Sequence, residues 1–223
     1  DLQDTYITPG FIDVHTHCED DLLSMPMAEN FVRMGVTSVV TGNCGDSFPD
    51  LRKAFTSYTR KRIAVNLASL VGHNPVRRKV MGNVARDPST TEMEAMRKLV
   101  ARGMEDGAVG ISTGLIYPPG VFAKTPEIIE LAKVAAGYHG IYVTHMRGEG
   151  STVFESIAEA LTIGREAGLP VEISHFKIVA PVNFGKPAKS IGMVEEARAS
   201  GMDVSADQYV YAASATGITS MLP

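Results

Sequence analysis

The chain has 223 residues, enough for one large core, with 21 basic and 25 acidic residues and a formal net charge of −4. No basic run is interleaved with aromatic residues, so we expect neither nucleic acid nor an anionic membrane as a partner. No apolar stretch reaches the length of a membrane span, and no charged-then-apolar leader precedes the first motif. Cys18 and Cys44 can form at most one disulfide, which favours free thiols and a cytoplasmic location.

Short apolar runs alternate along the chain with amphipathic helical stretches. The predicted strands are Ile12–His17, Thr37–Thr41, Ala64–Leu70, Ala108–Ser112, Ile141–His145, Val171–His175 and Asp203–Asp207. The predicted helices are Met25–Met34, Thr90–Glu105, Pro126–Tyr138, Val153–Ala167 and Ser190–Ser200. Most strand runs are apolar at successive positions, which is typical of parallel strands covered on both faces. Repeated strand, loop and helix units indicate a TIM-type barrel or a doubly wound sheet.

Residues that commonly bind metals lie at the carboxyl ends of different predicted strands. His15 and His17 lie at the end of the first predicted strand. Cys44, His145 and His175 each lie at the end of another predicted strand. Barrel enzymes assemble their sites from such strand ends. A doubly wound sheet would concentrate its site at one switch point, and no G-x-G-x-x-G motif follows the first strand. We therefore predict an α/β fold, a TIM-type (β/α)8 barrel of which residues 1–223 form a single, partial catalytic domain that lacks the last βα unit.

The segment FIDVHTH carries two histidines two residues apart. Side chains alternate faces in a strand, so His15 and His17 would point the same way and could bind one metal ion. An isolated H-x-H pair can also do no more than hydrogen-bond, but the cysteine and histidines at other strand ends favour a metal site. A Cys/His/His set leaves one tetrahedral position open on zinc, an arrangement known from catalytic sites. Cys18 faces the other way and is expected to be a packing thiol.

The ordered motifs of the chain resemble those of a known enzyme family. The segments are PGFIDVHTH, TGNCG, LVGH, GAVGISTGLIYPPG, YVTHMRGEG, EISHFK and DQYVYAASATG. Together they resemble the N-acyl-D-amino-acid deacylases, or D-aminoacylases, of the amidohydrolase superfamily. The resemblance implies zinc-dependent hydrolysis of small N-acyl-D-amino acids to a carboxylate and a free D-amino acid. It also implies that Cys44, His145 and His175 hold a tight Zn²⁺ ion, and that His15 and His17 form a weaker second position.

Two cationic residues follow the ligand-type histidines at a spacing of two. Lys177 follows His175 and would share its face, so it can pair with a substrate carboxylate, a role the resemblance also implies. A solvated loop lysine is the alternative. Arg147 follows His145 with the same geometry and is a second candidate, either for a carboxylate anchor or for a residue that holds a ligand in place. Glu149 is expected to hold either Arg147 or a ligand histidine in place.

Three further residues are expected near the cavity. The resemblance implies that Tyr209 donates a hydrogen bond to the substrate, and that Asp207 is a structural or substrate-contacting residue. His73, in LVGH, is expected to close the third strand and line the cavity.

The chain departs from the family pattern beyond the seventh predicted strand. The family barrel has eight strands, and the resemblance implies that an aspartate ending the eighth transfers the proton during catalysis. No residue here matches that aspartate, so the catalytic acid–base residue is unknown. The family's small β-rich domain has no counterpart either. We therefore expect a fragment, or a chain with omitted segments, that is inactive by itself.

Two other functions stay open at this point. A cyclic-amide hydrolase of the dihydroorotase or hydantoinase type would share the fold, but those enzymes generally carry a lysine where the fourth strand here ends in Ser112-Thr113-Gly114-Leu115. Cys44 therefore favours the deacylase. A non-catalytic metal-binding barrel is the third hypothesis. The sequence does not indicate an oligomeric state.

Overall fold

All strands of the protein run parallel to their neighbours. The computed structural model describes residues 4–217. Its strands are β1 (Phe11–Asp13), β2 (Val36–Thr41), β3 (Asn66–Ser69), β4 (Val71–Gly72), β5 (Gly110–Gly114), β6 (Ile141–His145), β7 (Val171–Ile173) and β8 (Val204–Ala206). The pairing order is β1-β2-β3 in one sheet and β4-β5-β6-β7-β8 in the other. Only Leu70 separates β3 from β4, so a single run of chain takes part in both sheets.

The strand order follows the chain without reversal. A doubly wound sheet reverses its order at a switch point, so the observed order excludes that architecture. Beyond the ends of β1 and β8, His15 Nδ1 lies 2.9 Å from Asp207 Oδ2. The row of strands therefore curves until its first and last members approach each other at the carboxyl end. This is the arrangement of a TIM-type barrel, as predicted.

Helices connect the strands and cover their outer faces. They are α1 (Glu19–Ser24), α2 (Glu29–Val32), α3 (Leu51–Lys61), α4 (His73–Met81), α5 (Thr90–Glu105), α6 (Thr125–Ala136), α7 (Val153–Ala167) and α8 (Pro187–Ala199). The longest of these, α5, begins with a capping box in which Ser89 and Glu92 bond each other's backbone N–H groups. Within residues 4–217, no helix has the length and apolar character needed to cross a membrane.

The main core lies between the strands and this helical layer. Tyr142 of β6 and Ile173 of β7 are completely buried there, together with Ile128 of α6 and Ile157 of α7. Side chains alternate between the two faces of a strand, and Tyr142 and His145 are three positions apart on β6. Since Tyr142 packs against the helices, His145 faces the opposite side of the strand. The helical core thus determines which residues of β6 face the interior of the barrel.

Several predicted element boundaries were wrong. The strand β1 ends at Asp13, so His15 and His17 lie in the following segment and not on a strand. The predicted helix Met25–Met34 is replaced by α1 and α2, because Pro26 disfavours helical backbone at the residue before it.

The strand before His73 ends at Gly72, and His73 begins α4 instead of closing the strand. Neither α3 nor α4 was predicted, although the buried residues Leu51, Ala54 and Tyr58 of α3 recur at helical spacing.

The outer strands of the row have one paired side each among the described residues. On β1, the side chains of Phe11 and Ile12 are 57% and 65% exposed. Strand β1 is therefore an edge strand that leaves apolar side chains exposed.

Candidate metal centre

Sulphur and imidazole groups meet at the carboxyl ends of the strands. Cys44 follows β2, His145 ends β6, His175 follows β7, and His15 and His17 follow β1. Cys44 Sγ lies 3.5 Å from His15 Nε2 and 3.6 Å from His175 Nε2, and His175 Nε2 lies 2.9 Å from His145 Nδ1. The structure therefore brings together all five residues that the sequence analysis singled out as metal ligands.

The donor atoms form two groups that share the cysteine. One group is Cys44, His145 and His175, and the other is Cys44, His15 and His17. Within each group the donor atoms lie within 4.8 Å of one another, close enough to surround one ion. The rings of His15 and His17 are 5.4 Å apart between centroids, although they do not lie on a strand. Cys44 would therefore be available as a ligand to an ion held by either group.

A tight loop presents Cys44 to the site. Gly42, Cys44 and Gly45 all have positive φ angles, of 79°, 52° and 76°. A non-glycine residue in this region costs of order 1–3 kcal/mol, and such conformations persist where the surroundings impose them. Here the N–H of Gly42 donates to Glu19 Oε1 at 2.7 Å, and the N–H of Gly45 donates to Ser112 Oγ at 3.1 Å. The strained backbone at Cys44 is thus held from both sides.

Glycine at the end of β5 gives the cysteine loop its space. A Cβ atom on Gly114 would overlap the carbonyl oxygen of Cys44, and one on Gly45 would overlap the backbone N of Gly114. No residue with a Cβ, lysine included, can therefore occupy position 114 while Cys44 keeps its position.

Burial sets the protonation of the donor groups. It raises the pKa of the Cys44 thiol to about 12, with Asp207 and Glu149 adding to the effect. Burial, together with the charge of His175, lowers the pKa of His145 to about 3. Burial also lowers the pKa of His17, with contributions from His15 and His175. The imidazoles of His145 and His17 are therefore neutral at pH 7, and a cation has to displace the thiol proton to bind Cys44.

The chemistry of the donors fits a zinc ion. His145 Nδ1 and Cys44 Sγ lie 2.9 Å and 3.6 Å from His175 Nε2, so two imidazole nitrogens and one sulphur converge. Thiolate and neutral imidazole together are donors that suit Zn²⁺. The residues present therefore match the metal that the sequence analysis expected.

A carboxylate from the segment after β8 supports two of the histidines. Asp207 Oδ2 lies 2.9 Å from His15 Nδ1, and Asp207 Oδ1 accepts a 2.6 Å hydrogen bond from the N–H of His175. The Asp207 side chain is 13% exposed. Asp207 thus links the segment after β1 to the segment after β7 through these two contacts.

The acidic residue Glu149 contacts His175, one of the candidate metal ligands. Its Oε1 atom lies 2.7 Å from His175 Nδ1 and 2.7 Å from Lys177 Nζ. Of the two roles considered for Glu149, the structure shows the contact with a histidine. Lys177 lies at the site with its side chain 16% exposed, and its Nζ is 5.5 Å from the ring centroid of Tyr209.

Two predicted cavity residues lie elsewhere. Arg147 donates to Glu159 at 2.9 Å and to the carbonyl of Ala123 at 2.8 Å, because β6 ends at His145 and strand alternation does not extend to residue 147. His73 is completely buried, with Nε2 2.8 Å from Glu127 Oε1. The geometry expected of both residues was therefore wrong.

One neighbour of the donor groups was missed. The ring of Tyr117 packs edge-on against His145, with 5.0 Å between centroids. Its position just beyond β5, in a segment that also follows a strand end, is a signal that could have identified it.

The strands run parallel and in sequence order, and sulphur and imidazole groups lie at their carboxyl ends. These features are typical of metal-dependent hydrolases built on a barrel. A sequence model of the Amidohydrolase family matches residues 1–219. The chain belongs to the Amidohydrolase family.

Its relatives include deacylases of D-amino acid derivatives. The chain is 39% identical to a D-aminoacylase of Alcaligenes xylosoxydans xylosoxydans over 97% of this chain and 49% of the relative. It matches an N-acyl-D-glutamate deacylase of Bordetella bronchiseptica, solved with zinc and a phosphonate inhibitor, with a TM-score of 0.88 and 34% identity. That match covers 91% of this chain and 48% of the other. The chain thus spans about half the length of these relatives, and its predicted resemblance to the deacylases is confirmed.

A more distant match concerns the fold alone. An L-hydantoinase of Arthrobacter aurescens superposes with a TM-score of 0.54 at 18% identity, over 90% of this chain and 47% of that enzyme.

Proposed function

We propose that the protein hydrolyses the amide bond of N-acyl-D-amino acids, using zinc bound by Cys44, His145 and His175. The observation that carries this proposal is the position of Cys44 Sγ, which belongs to both groups of donor atoms. His15 and His17 form the second, weaker metal position in this proposal. Relatives that are a D-aminoacylase and an N-acyl-D-glutamate deacylase support the choice of substrate class. A cytoplasmic location is also inferred, and the free thiols of Cys18 and Cys44 support it.

The residues around the donor groups would each have a defined task. A bound zinc ion supplies Lewis-acid polarisation of the scissile carbonyl. Lys177 binds the carboxylate of the amino acid portion, since its ammonium group lies at the site. Tyr209 lies beside Lys177 and contacts the same part of the substrate. Both oxygens of Asp207 are engaged with His15 and His175, so Asp207 orients these residues and is not assigned the proton transfer.

Substrate assays on the full-length, zinc-loaded protein test this proposal. We expect release of free D-amino acid from N-acyl-D-amino acids and much slower reaction of the L-enantiomers. Hydrolysis of a hydantoin or dihydropyrimidine without deacylation would contradict it. Stable zinc binding without turnover of either substrate class would instead support a metal-binding role.

The close packing at Gly114 is the main argument against cyclic-amide hydrolysis. A lysine at Gly114 would overlap the carbonyl oxygen of Cys44, so a lysine at that position is incompatible with the observed Cys44 loop. The similarity to a hydantoinase concerns the fold and does not alter this preference.

Replacing Gly114 with alanine should disturb the metal centre through its backbone. The new Cβ would overlap Cys44 O, and overpacking of this kind typically costs about 1–3 kcal/mol. We expect a lower denaturation midpoint and reduced zinc retention. Gly192→Ala is the control, because a Cβ at Gly192, in α8, meets no atom within 4 Å. Equal zinc content in both variants would contradict the close packing around Cys44.

Replacing Lys177 with methionine should discriminate between charged and uncharged substrates. If Lys177 binds the carboxylate, the variant loses kcat/KM on N-acyl amino acids by about 10–100-fold, equivalent to a charged hydrogen bond of about 1.5–3 kcal/mol. Activity on the corresponding uncharged amides should change much less. Steady-state kinetics on matched substrate pairs measure the difference. An equal loss on both substrate types would exclude the assigned role.

A further inference from the structure

We propose that Ser112 is a positioning residue that holds Cys44 in the backbone conformation required for zinc binding. The inference rests on the proposed function, because it takes Cys44 as a zinc ligand. Ser112 belongs to β5, a strand that carries none of the five candidate donors. It would act on the metal only through the backbone of the Cys44 loop, which comprises residues 42–46.

Cys44 occupies a turn conformation that L-amino acids seldom adopt. The N–H of Asp46 donates to the carbonyl oxygen of Asn43 at 3.1 Å and closes a tight turn. Cys44 and Gly45 are the two central residues of this turn, and both have positive φ angles, of 52° and 76°. Glycine adopts such angles readily, but a cysteine there is strained and stays only where its surroundings impose the conformation. The conformation of Cys44 therefore depends on contacts from outside the turn.

The hydroxyl group of Ser112 bonds the backbone on both sides of Cys44. Its Oγ atom donates to the carbonyl oxygen of Gly42 and accepts a hydrogen bond from the N–H of Gly45 at 3.1 Å. In a turn closed from Gly42 to Gly45, these two backbone groups would bond each other directly. Here the serine hydroxyl lies between them instead. It therefore links the residues that precede and follow the segment Asn43-Cys44.

Burial makes this link difficult to replace. The Ser112 side chain is completely buried, and Gly42 and Gly45 are buried as well. Water is therefore a poor substitute for the hydroxyl group at either backbone atom. A buried carbonyl or N–H group without a partner is costly, and removing the hydroxyl leaves one of each. Its loss should favour any rearrangement of the loop that gives Gly42 O and Gly45 N–H new partners.

Two other contacts hold the loop, but each bonds one side of the turn. The N–H of Gly42 donates to Glu19 Oε1 at 2.7 Å, which ties this side to α1. The carbonyl oxygen of Gly45 accepts a 2.8 Å hydrogen bond from the N–H of Asn74, which ties the other side to α4. Ser112 bonds both sides through one atom, so it sets the distance between them.

A fixed loop bears directly on the affinity for zinc. Donors that are already in place bind a ligand more tightly, because the free energy of ordering them is otherwise subtracted from binding. Cys44 belongs to both donor groups, and its Sγ lies 3.6 Å from His175 Nε2. If the turn opened in the metal-free protein, zinc binding would have to restore both this distance and the strained backbone. Ser112 would therefore raise the affinity without touching the metal or the substrate.

Amide hydrogen exchange in the metal-free protein tests the contact itself. In Ser112→Ala we expect the N–H of Gly45 to exchange faster than in the wild type, by up to about 10-fold, the factor that one hydrogen bond contributes. The amide of Ile157, which is completely buried in α7, reports any change in overall stability and serves as the reference. An unchanged exchange rate at Gly45, relative to this reference, would overturn the proposal.

Zinc affinity tests the consequence for the metal centre. In Ser112→Ala we expect the affinity, measured by competition with a chromogenic chelator, to fall by about 10–100-fold, as is usual when a group that orients a metal ligand is lost. Ser156→Ala is the matched control. It also removes a buried serine hydroxyl, which donates to the carbonyl oxygen of Thr152 at 2.9 Å, and it should bind zinc like the wild type. If Ser112→Ala were folded and less stable but bound zinc as tightly as the control, the hydroxyl would be purely structural and the proposal would fail.

A second pair of variants separates the hydroxyl group from changes in packing. Threonine and valine have nearly the same shape, but only threonine has a hydroxyl group, so Ser112→Thr and Ser112→Val crowd the site alike. We expect Ser112→Thr to keep most of the zinc affinity and the slow exchange at Gly45. Ser112→Val should lose both. Equal zinc affinities in these two variants would exclude the assigned role, even if Ser112→Ala failed to fold.

The inference and the proposed function can fail separately, and the full-length protein distinguishes them. If it releases D-amino acids while Ser112→Ala matches the wild type in zinc affinity and in Gly45 exchange, the inference fails and the proposed function stands. If deacylation is absent but both shifts occur as expected, the proposed function fails and the positioning role of Ser112 stands.

Discussion

Replacing Cys44 with alanine should remove the bound zinc and the deacylase activity together. Cys44 is the only thiol among the described residues that belongs to either donor group, and both groups include it. Loss of a directly bound thiolate should exceed the about 10–100-fold effect of losing a hydrogen-bond partner of a ligand. We expect about one zinc per chain in the dialysed wild type and almost none in the variant, measured by elemental analysis.

The other cysteine provides a matched control for this experiment. Cys18 is buried, and its Sγ lies 3.2 Å from Thr16 Oγ1 in the smaller core cluster that includes Leu22 and Tyr58. Cys18→Ala also removes one buried thiol, yet it should retain the zinc. If Cys44→Ala retained as much zinc as Cys18→Ala, the assignment of Cys44 would be wrong.

Replacing Arg77 with methionine should have the largest effect on stability. The Arg77 side chain is completely buried, and its Nε lies 3.0 Å from Glu127 Oε1, which also contacts His73 Nε2 at 2.8 Å. Arg77 also donates to the carbonyls of Val84 and Arg86, which lie in the connection between α4 and α5. Removing one partner of a buried ion pair typically costs about 3–5 kcal/mol, because the other charge stays buried without compensation.

Urea denaturation of the variant measures this loss. Arg33→Met serves as the control, because Arg33 pairs with Glu29 on the surface, where both side chains are mostly exposed. Such surface pairs contribute about 0–1 kcal/mol. Similar denaturation midpoints for the two variants would show that the buried pair at Arg77 is not important for the free energy of unfolding.

The meeting of the candidate metal donors at one place could be predicted because strand ends are visible in the sequence. Cys44, His145 and His175 each follow or end an apolar run, and parallel strands bring their carboxyl ends to one side. The proximity of His15 and His17 to Cys44 was expected for a partly wrong reason, since β1 ends at Asp13 and alternation does not apply to them. Their rings reach Cys44 through the segment after the strand, where Asp207 contacts His15.

The residues around the donors could not be predicted from spacing. Arg147 and Glu149 both follow His145 within four positions, yet Glu149 contacts His175 while Arg147 turns to Glu159. Beyond the end of a strand, the path of the loop decides where a side chain points, and that path depends on tertiary contacts. The buried group of His73, Arg77 and Glu127 likewise joins α4 to α6, and no local pattern relates the two helices.

The backbone of the Cys44 loop illustrates the same limit. The glycines of TGNCG indicate a tight turn, but not that Cys44 itself adopts a positive φ angle. That conformation depends on Gly114, which is distant in sequence and leaves space for the carbonyl of Cys44. The requirement of Cys44 for a glycine at position 114 follows only from the packing of β5 against the Cys44 loop.

X-ray absorption spectroscopy of the zinc-loaded protein tests the central claim most directly. The proposed site requires one sulphur neighbour at about 2.3 Å and nitrogen neighbours at about 2.0–2.1 Å from the zinc. We expect the sulphur contribution in the wild type and in Cys18→Ala. A spectrum of the wild type with nitrogen and oxygen neighbours alone would contradict the metal centre at Cys44.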